Sequence, residues 1–182
     1  PPGSVVMKTF DLAGQPVETR LLMRHPDGVW AGYTWEWNEA GTAATRVIGG
    51  KRKLVAGQEW IFPSEGECLQ CHTQVAGFSL GLETAQLNGS FTYPSTGRSA
   101  NQLETLAGIG VFTTALPGPV AGLPRLPDPH AAGVPVAQRA RAWLDTNCAQ
   151  CHRPGGPTPV SLDLRYATAL GATGTCDLPP QA

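Results

Sequence analysis

A five-residue stretch occurs twice in the chain, as Cys68-Leu69-Gln70-Cys71-His72 and as Cys148-Ala149-Gln150-Cys151-His152. Two cysteines separated by two residues and followed at once by histidine have the spacing of a c-type haem attachment site. On a turn of helix, residues three apart lie on one face. Two thiols so placed reach the two vinyl groups on one edge of a porphyrin and form thioethers. The next residue brings its imidazole under the ring, and histidine is the common proximal ligand of haem iron. Two other chemistries use CxxC pairs. Four cysteines can close a structural zinc site, but zinc does not call for histidine directly after each pair. A dithiol redox pair is expected beside a βαβ pattern, which is not visible here. The repeat of the whole unit favours two covalently attached haem c groups. Cys68, Cys71, Cys148 and Cys151 would be the attachment points, and His72 and His152 the iron ligands.

The rest of the composition suits a chain that packs around such groups. Glycine and proline number 22 and 17 in 182 residues, which favours loop over long regular elements. Hydrophobic residues make up 41%, enough for a core, and charged residues only 15%. A formal net charge of −1 with no basic stripe argues against a nucleic-acid partner. No apolar run has the length of a membrane span; the longest candidate, from Val111 to Leu123, is broken by Pro117 and Pro119. Pro1-Pro2-Gly3-Ser4 has no signal-peptide pattern. Haem is attached to CxxCH outside the bacterial cytoplasm, so the expected location is periplasmic or extracellular, with the signal peptide already removed. The fifth cysteine, Cys176, is expected to be a small buried residue, with intermolecular pairing or a free thiol as the alternatives.

The N-terminal region, 1–59, reads as antiparallel β-structure. Residues 4–10 suit a short strand. Glu18 to His25 and Val29 to Trp37 flank Pro26-Asp27-Gly28, a turn in which Pro fixes φ, Asp bonds its own backbone and Gly takes positive φ. That register pairs His25 with Val29, Met23 with Ala31, Leu21 with Tyr33 and Thr19 with Trp35. This face is the more apolar one by composition, so it is expected to point inward with His25 on it. Further strands are expected over Thr45–Ile48 and Lys53–Val55, with Gly49-Gly50-Lys51-Arg52 as the turn between them.

Two loop-rich helical regions are expected to follow, over 60–130 and 131–182. Trp60 to Ser64 leads into the first motif, and Ser64 with Glu67 forms a capping-box pattern for a helix carrying Cys68, Cys71 and His72. Residues 77–88 read as loop and short helix. Asn101 to Ala107 reads as a short helix stopped by Gly108 and Gly110, and Pro117 to Pro129 as an extended linker. Pro135 suits the first residue of a longer helix. In it Val136, Ala140, Trp143, Leu144, Asn147 and Cys151 follow one face, expected to be the apolar one. Arg153-Pro154-Gly155-Gly156-Pro157 ends it. The fold class is therefore α+β.

A helix closing on CxxCH and a glycine-proline loop resembles the start of class I cytochromes c. Three segments together resemble a family of secreted bacterial dihaem c-type cytochromes that is largely uncharacterised. They are Trp60-Ile61-Phe62-Pro63-Ser64 with Cys68 to His72, Leu80 to Asn88, and Arg139 to Gly156. Glu18 to Leu22 and Trp30 to Asn38 are similar to the same family, so the likeness covers most of the chain. It implies two covalent haems, carried onto Cys68, Cys71, His72, Cys148, Cys151 and His152. Members of that family continue past the region like Cys176-Asp177-Leu178-Pro179-Pro180 into a Met-Pro-Pro segment and a closing helix. Here the chain ends at Ala182, so the second haem region is expected either to be cut short or to draw its other ligand from elsewhere.

Ligand counting narrows the sixth positions. The chain has two methionines, Met7 and Met23, both before the first motif, and four histidines. His25 is the candidate sixth ligand of the first haem, with Met23 as runner-up and a histidine capping the turn as the non-ligand alternative. His130 is the candidate for the second, and Met7 is expected in the strand core. Trp35, Trp37, Trp60 and Trp143 read as packing rather than electron stepping-stones. The expected function is electron transfer between redox-protein donor and acceptor outside the cytoplasm. The alternatives are a peroxidase-like dihaem enzyme with one open iron, to which Glu65, Glu67 and His130 would be available, and a homo-oligomer or filament of haem-stacked subunits.

Overall fold

The computed structural model describes residues 1–176 and Pro179. The chain is mixed α and β, with an antiparallel sheet at its N-terminal end and few helices. It divides into two compact units, Pro1–Ser79 and Leu80–Ala182.

The first unit is built on strands β1 (Val5–Leu12), β2 (Gln15–Arg24), β3 (Trp30–Trp37) and β4 (Ala44–Val47), hydrogen-bonded in that order. The β2–β3 turn forms as its residues predict. Gly28 is left-handed at φ +86°, Asp27 Oδ1 accepts from Val29 N–H at 3.0 Å, and His25 N–H donates to the Val29 carbonyl at 2.8 Å. The register is the expected one, pairing Thr19 with Trp35, Leu21 with Tyr33 and Met23 with Ala31.

The buried face is not the one expected. Leu22, Gly32, Thr34 and Glu18 are buried, while on the opposite face Thr19 is buried but Leu21, Met23, Ala31, Tyr33 and Trp35 stay half-exposed. The more apolar side is the wetter side because later segments satisfy the polar groups of the other one. Thr34 Oγ1 donates to the Pro63 carbonyl at 3.0 Å. The carboxylate of Glu18, fully buried, accepts from Arg20 Nε (2.6 Å), Arg20 Nη2 (3.0 Å) and Trp60 Nε1 (2.9 Å). A buried carboxylate held by three donors keeps its place where an unpaired one would be expelled. Met7, expected in the core, is 69% exposed.

β5 (Lys51–Val55) pairs with β6 (Gln58–Phe62) across Ala56-Gly57, both left-handed. Lys51 and Arg52, expected in a turn, thus belong to the strand. Trp60 to Phe62 forms part of its partner, and Phe62 packs with Val17 and Val47, flanked by Leu12, Val55 and Trp60. This hairpin carries the chain straight through the boundary expected at 59/60; the first motif belongs to the β-rich unit, and the division falls at 79/80.

In the second unit lie α2 (Thr84–Leu87), the hairpin β7 (Ser90–Tyr93) and β8 (Arg98–Asn101), α3 (Gln102–Gly108) and α4 (Val136–Cys148). α3 starts where expected, with Asn101 Oδ1 accepting from Leu103 N–H at 2.9 Å. The proline-rich stretch is a tethered loop rather than an extended linker. Asn88 Nδ2 lies 2.8 Å from the Val120 carbonyl, 3.1 Å from that of Leu123 and 3.2 Å from that of Pro124, and Asn101 Nδ2 donates to Asn88 Oδ1 at 2.8 Å.

Pro135 caps α4 and Val136 is its first residue. The helix turns the other way from the expected one. Val136 is 72% and Trp143 51% exposed, whereas Ala142 and Ala149 are buried. Its inner side is anchored by polar side chains. Arg139 reaches the carbonyls of Val134 (3.1 Å) and Pro129 (3.2 Å). Arg141 reaches those of Arg165 (2.9 Å), Tyr166 (3.1 Å) and Thr168. Asp145 Oδ1 accepts from Tyr166 N–H at 2.7 Å. Among the described residues of this unit, the buried apolar side chains are Leu103, Ala142 and Ala149 alone.

The loop after α4 is held by Asp163. Its carboxylate accepts from Arg165 Nε (2.8 Å) and Nη2 (2.6 Å) and from Thr168 Oγ1 (2.9 Å). The Arg165 guanidinium, helped by Thr168, holds this carboxyl well below the usual range. A carboxyl that ionises more easily when folded stabilises the fold above its unfolded pKa of about 3.9, and that contribution is lost as pH falls through the lower folded value. Acidification below about pH 4 is therefore expected to speed amide exchange at Leu164 and Tyr166. Exchange rates that stay flat from pH 5 to pH 2.5, after correction for intrinsic chemistry, would contradict this.

Candidate cofactor-attachment sites

The first motif sits on α1 (Glu65–Cys71), started by the predicted capping box: Ser64 Oγ accepts from Glu67 N–H (3.3 Å) and Glu67 Oε2 from Ser64 N–H (2.7 Å). α1 packs on β3 at Gly32. A Cβ at position 32 would lie 2.4 Å from Cys68 Cβ and 2.7 Å from its Sγ, so Cys68 occupies the space a side chain there would need. A lone glycine inside a strand marks such a close approach, and Gly32 between Ala31 and Tyr33 carries that signal in the sequence. Cys71 is exposed and Cys68 half-buried. Burial pushes the Cys68 thiol up, whereas the reactive cysteine of a dithiol redox pair is shifted down.

His72 closes α1, its N–H donating to the Cys68 carbonyl at 3.1 Å. Its Nδ1 lies 2.6 Å from the Phe78 carbonyl. A carbonyl only accepts, so Nδ1 carries the proton and Nε2 is left with its lone pair for a metal. Phe78 achieves this at φ +61°, a left-handed conformation costing about 1–2 kcal/mol for a residue with a Cβ. Its ring is stacked on Trp30, centroids 6.1 Å apart and planes 18° from parallel.

The second motif straddles the end of α4. Cys151 N–H (3.1 Å) and His152 N–H (2.9 Å) both donate to the Cys148 carbonyl, and Gly156 N–H turns back to the Arg153 carbonyl at 2.9 Å. A Cβ on Gly156 would fall 2.0 Å from the Cys151 carbonyl oxygen. The loop beyond returns to the site, with Leu164 N–H donating to the His152 carbonyl at 3.0 Å. Cys148, Cys151 and His152 are half-buried. His152 Nδ1 is a buried nitrogen without a hydrogen-bond partner among the described residues.

Each motif offers two thiols and an adjoining imidazole, the donor set that a covalently held tetrapyrrole would use. Among the described residues no three His, Cys, Asp or Glu side chains converge closely enough to hold a metal ion, as a zinc site needs.

The other expected histidine ligands make local contacts. His25 Nε2 bonds the Tyr33 hydroxyl at 2.8 Å, the rings edge-to-face. Tyr33 is on the sheet face opposite the one that Gly32 and Cys68 share, so the inward position expected for His25 is not met; Met23 shares that outer face. His130 is exposed in a turn whose backbone N–H donates to Asp128 Oδ1 at 2.8 Å. Cys176 is exposed, not buried. Asp177, Leu178 and residues 180–182, which carry part of the expected Cys176–Pro180 likeness, lie outside the described residues. Of the tryptophans, Trp60 packs on the core and Trp37 Nε1 bonds Thr19 Oγ1 at 2.9 Å, but Trp143 faces solvent. Among the described residues no helix is long and apolar enough to cross a membrane.

Comparisons of the chain with family models, with curated proteins and with solved structures find no match.

Proposed function

We propose that the chain is a dihaem c-type cytochrome, joined to haem through Cys68 and Cys71 and again through Cys148 and Cys151, that passes electrons between redox proteins outside the cytoplasm. The observation that carries this reading is the build of the first motif. A capped helix presents both thiols, and His72 has one ring nitrogen committed to a carbonyl and the other left available to a metal. Haem supplies a one-electron couple when bound. The chain presents an imidazole next to each thiol pair and sets the orientation of the first one. The small apolar core of the second unit also supports the reading, since a porphyrin face would give Cys148, Cys151 and His152 something to pack against.

The test is the intact mass of protein exported by a host equipped for haem attachment. The expected mass is the polypeptide plus two haems, resistant to acid–acetone extraction, with a c-type haemochrome spectrum. The bare polypeptide mass would overturn the proposal. Low-temperature EPR of the oxidised protein then separates carrier from enzyme: two low-spin signals are expected, and a high-spin haem consumed by peroxide would favour the peroxidase-like alternative.

A further inference from the structure

Phe78 combines two features that no other described residue shares. Among the described residues it is one of three non-glycine residues with positive φ, and it is the bulky one; the others, Ala13 and Ala56, lie in hairpin turns. Its carbonyl is also the partner of His72 Nδ1. A strained aromatic persists only where its surroundings over-determine it. Here the ring stacks on Trp30 of β3, and Phe78 N–H donates to the Thr73 carbonyl at 2.9 Å. The strand thus holds the ring, the ring holds the backbone, and the backbone holds the imidazole. His152 has no such anchor, since its Nδ1 is buried without a partner among the described residues.

We propose that Phe78 is the positioning residue of the first site, clamped by Trp30, and that the unanchored His152 makes the two sites unequal, the iron on His72 being the more reducing. The inference rests on the haem reading above. An imidazole that donates its far N–H to a carbonyl is more basic toward the metal. Stronger donation favours the oxidised over the reduced iron, and hydrogen bonding around axial ligands is one of the protein's levers on haem potential. The structural asymmetry therefore sets the order of the two couples: an electron delivered to the protein resides mainly on the His152 side.

The test is a potentiometric titration of the haem-loaded chain, followed by absorbance and EPR, for the wild type, Phe78→Gly and Trp30→Leu. Glycine accepts the left-handed backbone but has no ring to be held. Leucine at position 30 leaves Phe78 intact and removes the stack. Two one-electron waves are expected in the wild type, separated by at least a tenfold difference in the oxidised-to-reduced ratio, or 59 mV. The lower wave is expected to move up in both variants, with the higher one unchanged. Coincident waves in the wild type, a lower wave unmoved in both variants, or movement of the higher wave alone would overturn the proposal. A merely structural role would shift unfolding without moving one wave selectively. Should one variant fail to fold, the other still decides. Failure of the haem reading itself looks different, because a bare polypeptide mass leaves no waves to titrate.

Discussion

Replacing Gly32 with alanine is expected to push α1 away from the sheet and to cost about 1–3 kcal/mol, the range for overpacking a close contact. The obstacle is Cys68 Cβ at 2.4 Å, an atom fixed by the helix backbone rather than the far end of a flexible chain. Relief requires α1 or β3 to move, and either movement disturbs the Thr34–Pro63 hydrogen bond and the Trp30–Phe78 stack that tie the strand to the segments flanking the helix. Gly66→Ala is the matched control. Gly66 lies in the first turn of α1 with nothing within 4 Å of a Cβ there, so alanine should be neutral or stabilise by less than the roughly 1 kcal/mol of a helix interior. Urea midpoints measure both. If Gly32→Ala unfolds at the wild-type midpoint, the packing of Cys68 on the strand is wrong. In haem-loaded material the same variant should lower occupancy at the first motif and spare the second, read by mass on proteolytic fragments.

Gly156→Ala should be the more damaging change. The atom in the way is the Cys151 carbonyl oxygen, 2.0 Å from the added Cβ, with the Arg153 carbonyl at 3.0 Å. Both are main chain, so the turn itself must open, at a cost of about 3 kcal/mol or more. Opening it breaks the Gly156–Arg153 bond and releases the segment that presents Cys151 and His152. Gly171→Ala, where nothing lies within 4 Å of a Cβ, is expected to be near neutral. The pair therefore distinguishes a local clash from a general intolerance of alanine in the second unit. Equal midpoints for the two variants would refute the turn geometry.

Signals confined to a few neighbouring residues could be read from the sequence. Pro26-Asp27-Gly28 set the β2–β3 register, Ser64 with Glu67 started α1, and Asn101 started α3. Choices that depend on distant partners could not be read. The buried face of the hairpin is decided by Pro63 and Trp60, which lie far along the chain from Thr34 and Glu18 and satisfy their polar groups. Counting apolar residues favoured the other face, since Gly32 adds nothing to such a count. α4 turns its other side inward for a related reason: Arg141 and Asp145 look like surface residues until the carbonyls and amide of 165–168 are brought to them. The β7–β8 hairpin has its own local signal, Phe91 and Tyr93 alternating with Ser90 and Thr92 just ahead of the turn residues Pro94-Ser95-Thr96-Gly97. At the candidate sites, the cysteines and the adjoining histidines were legible from spacing alone. Gly32 and Phe78 were not, because their importance lies in a close approach and a backbone angle.

The second unit is held mainly by side-chain donors reaching loop carbonyls, as Asn88 and Arg141 do, and by little apolar burial. Heat-capacity change and denaturant dependence both scale with the surface exposed on unfolding. The polypeptide of this unit, taken by itself, should therefore melt over a broad range with a shallow urea slope for its length. A sharp, steep transition would require apolar contacts beyond those that its described side chains make.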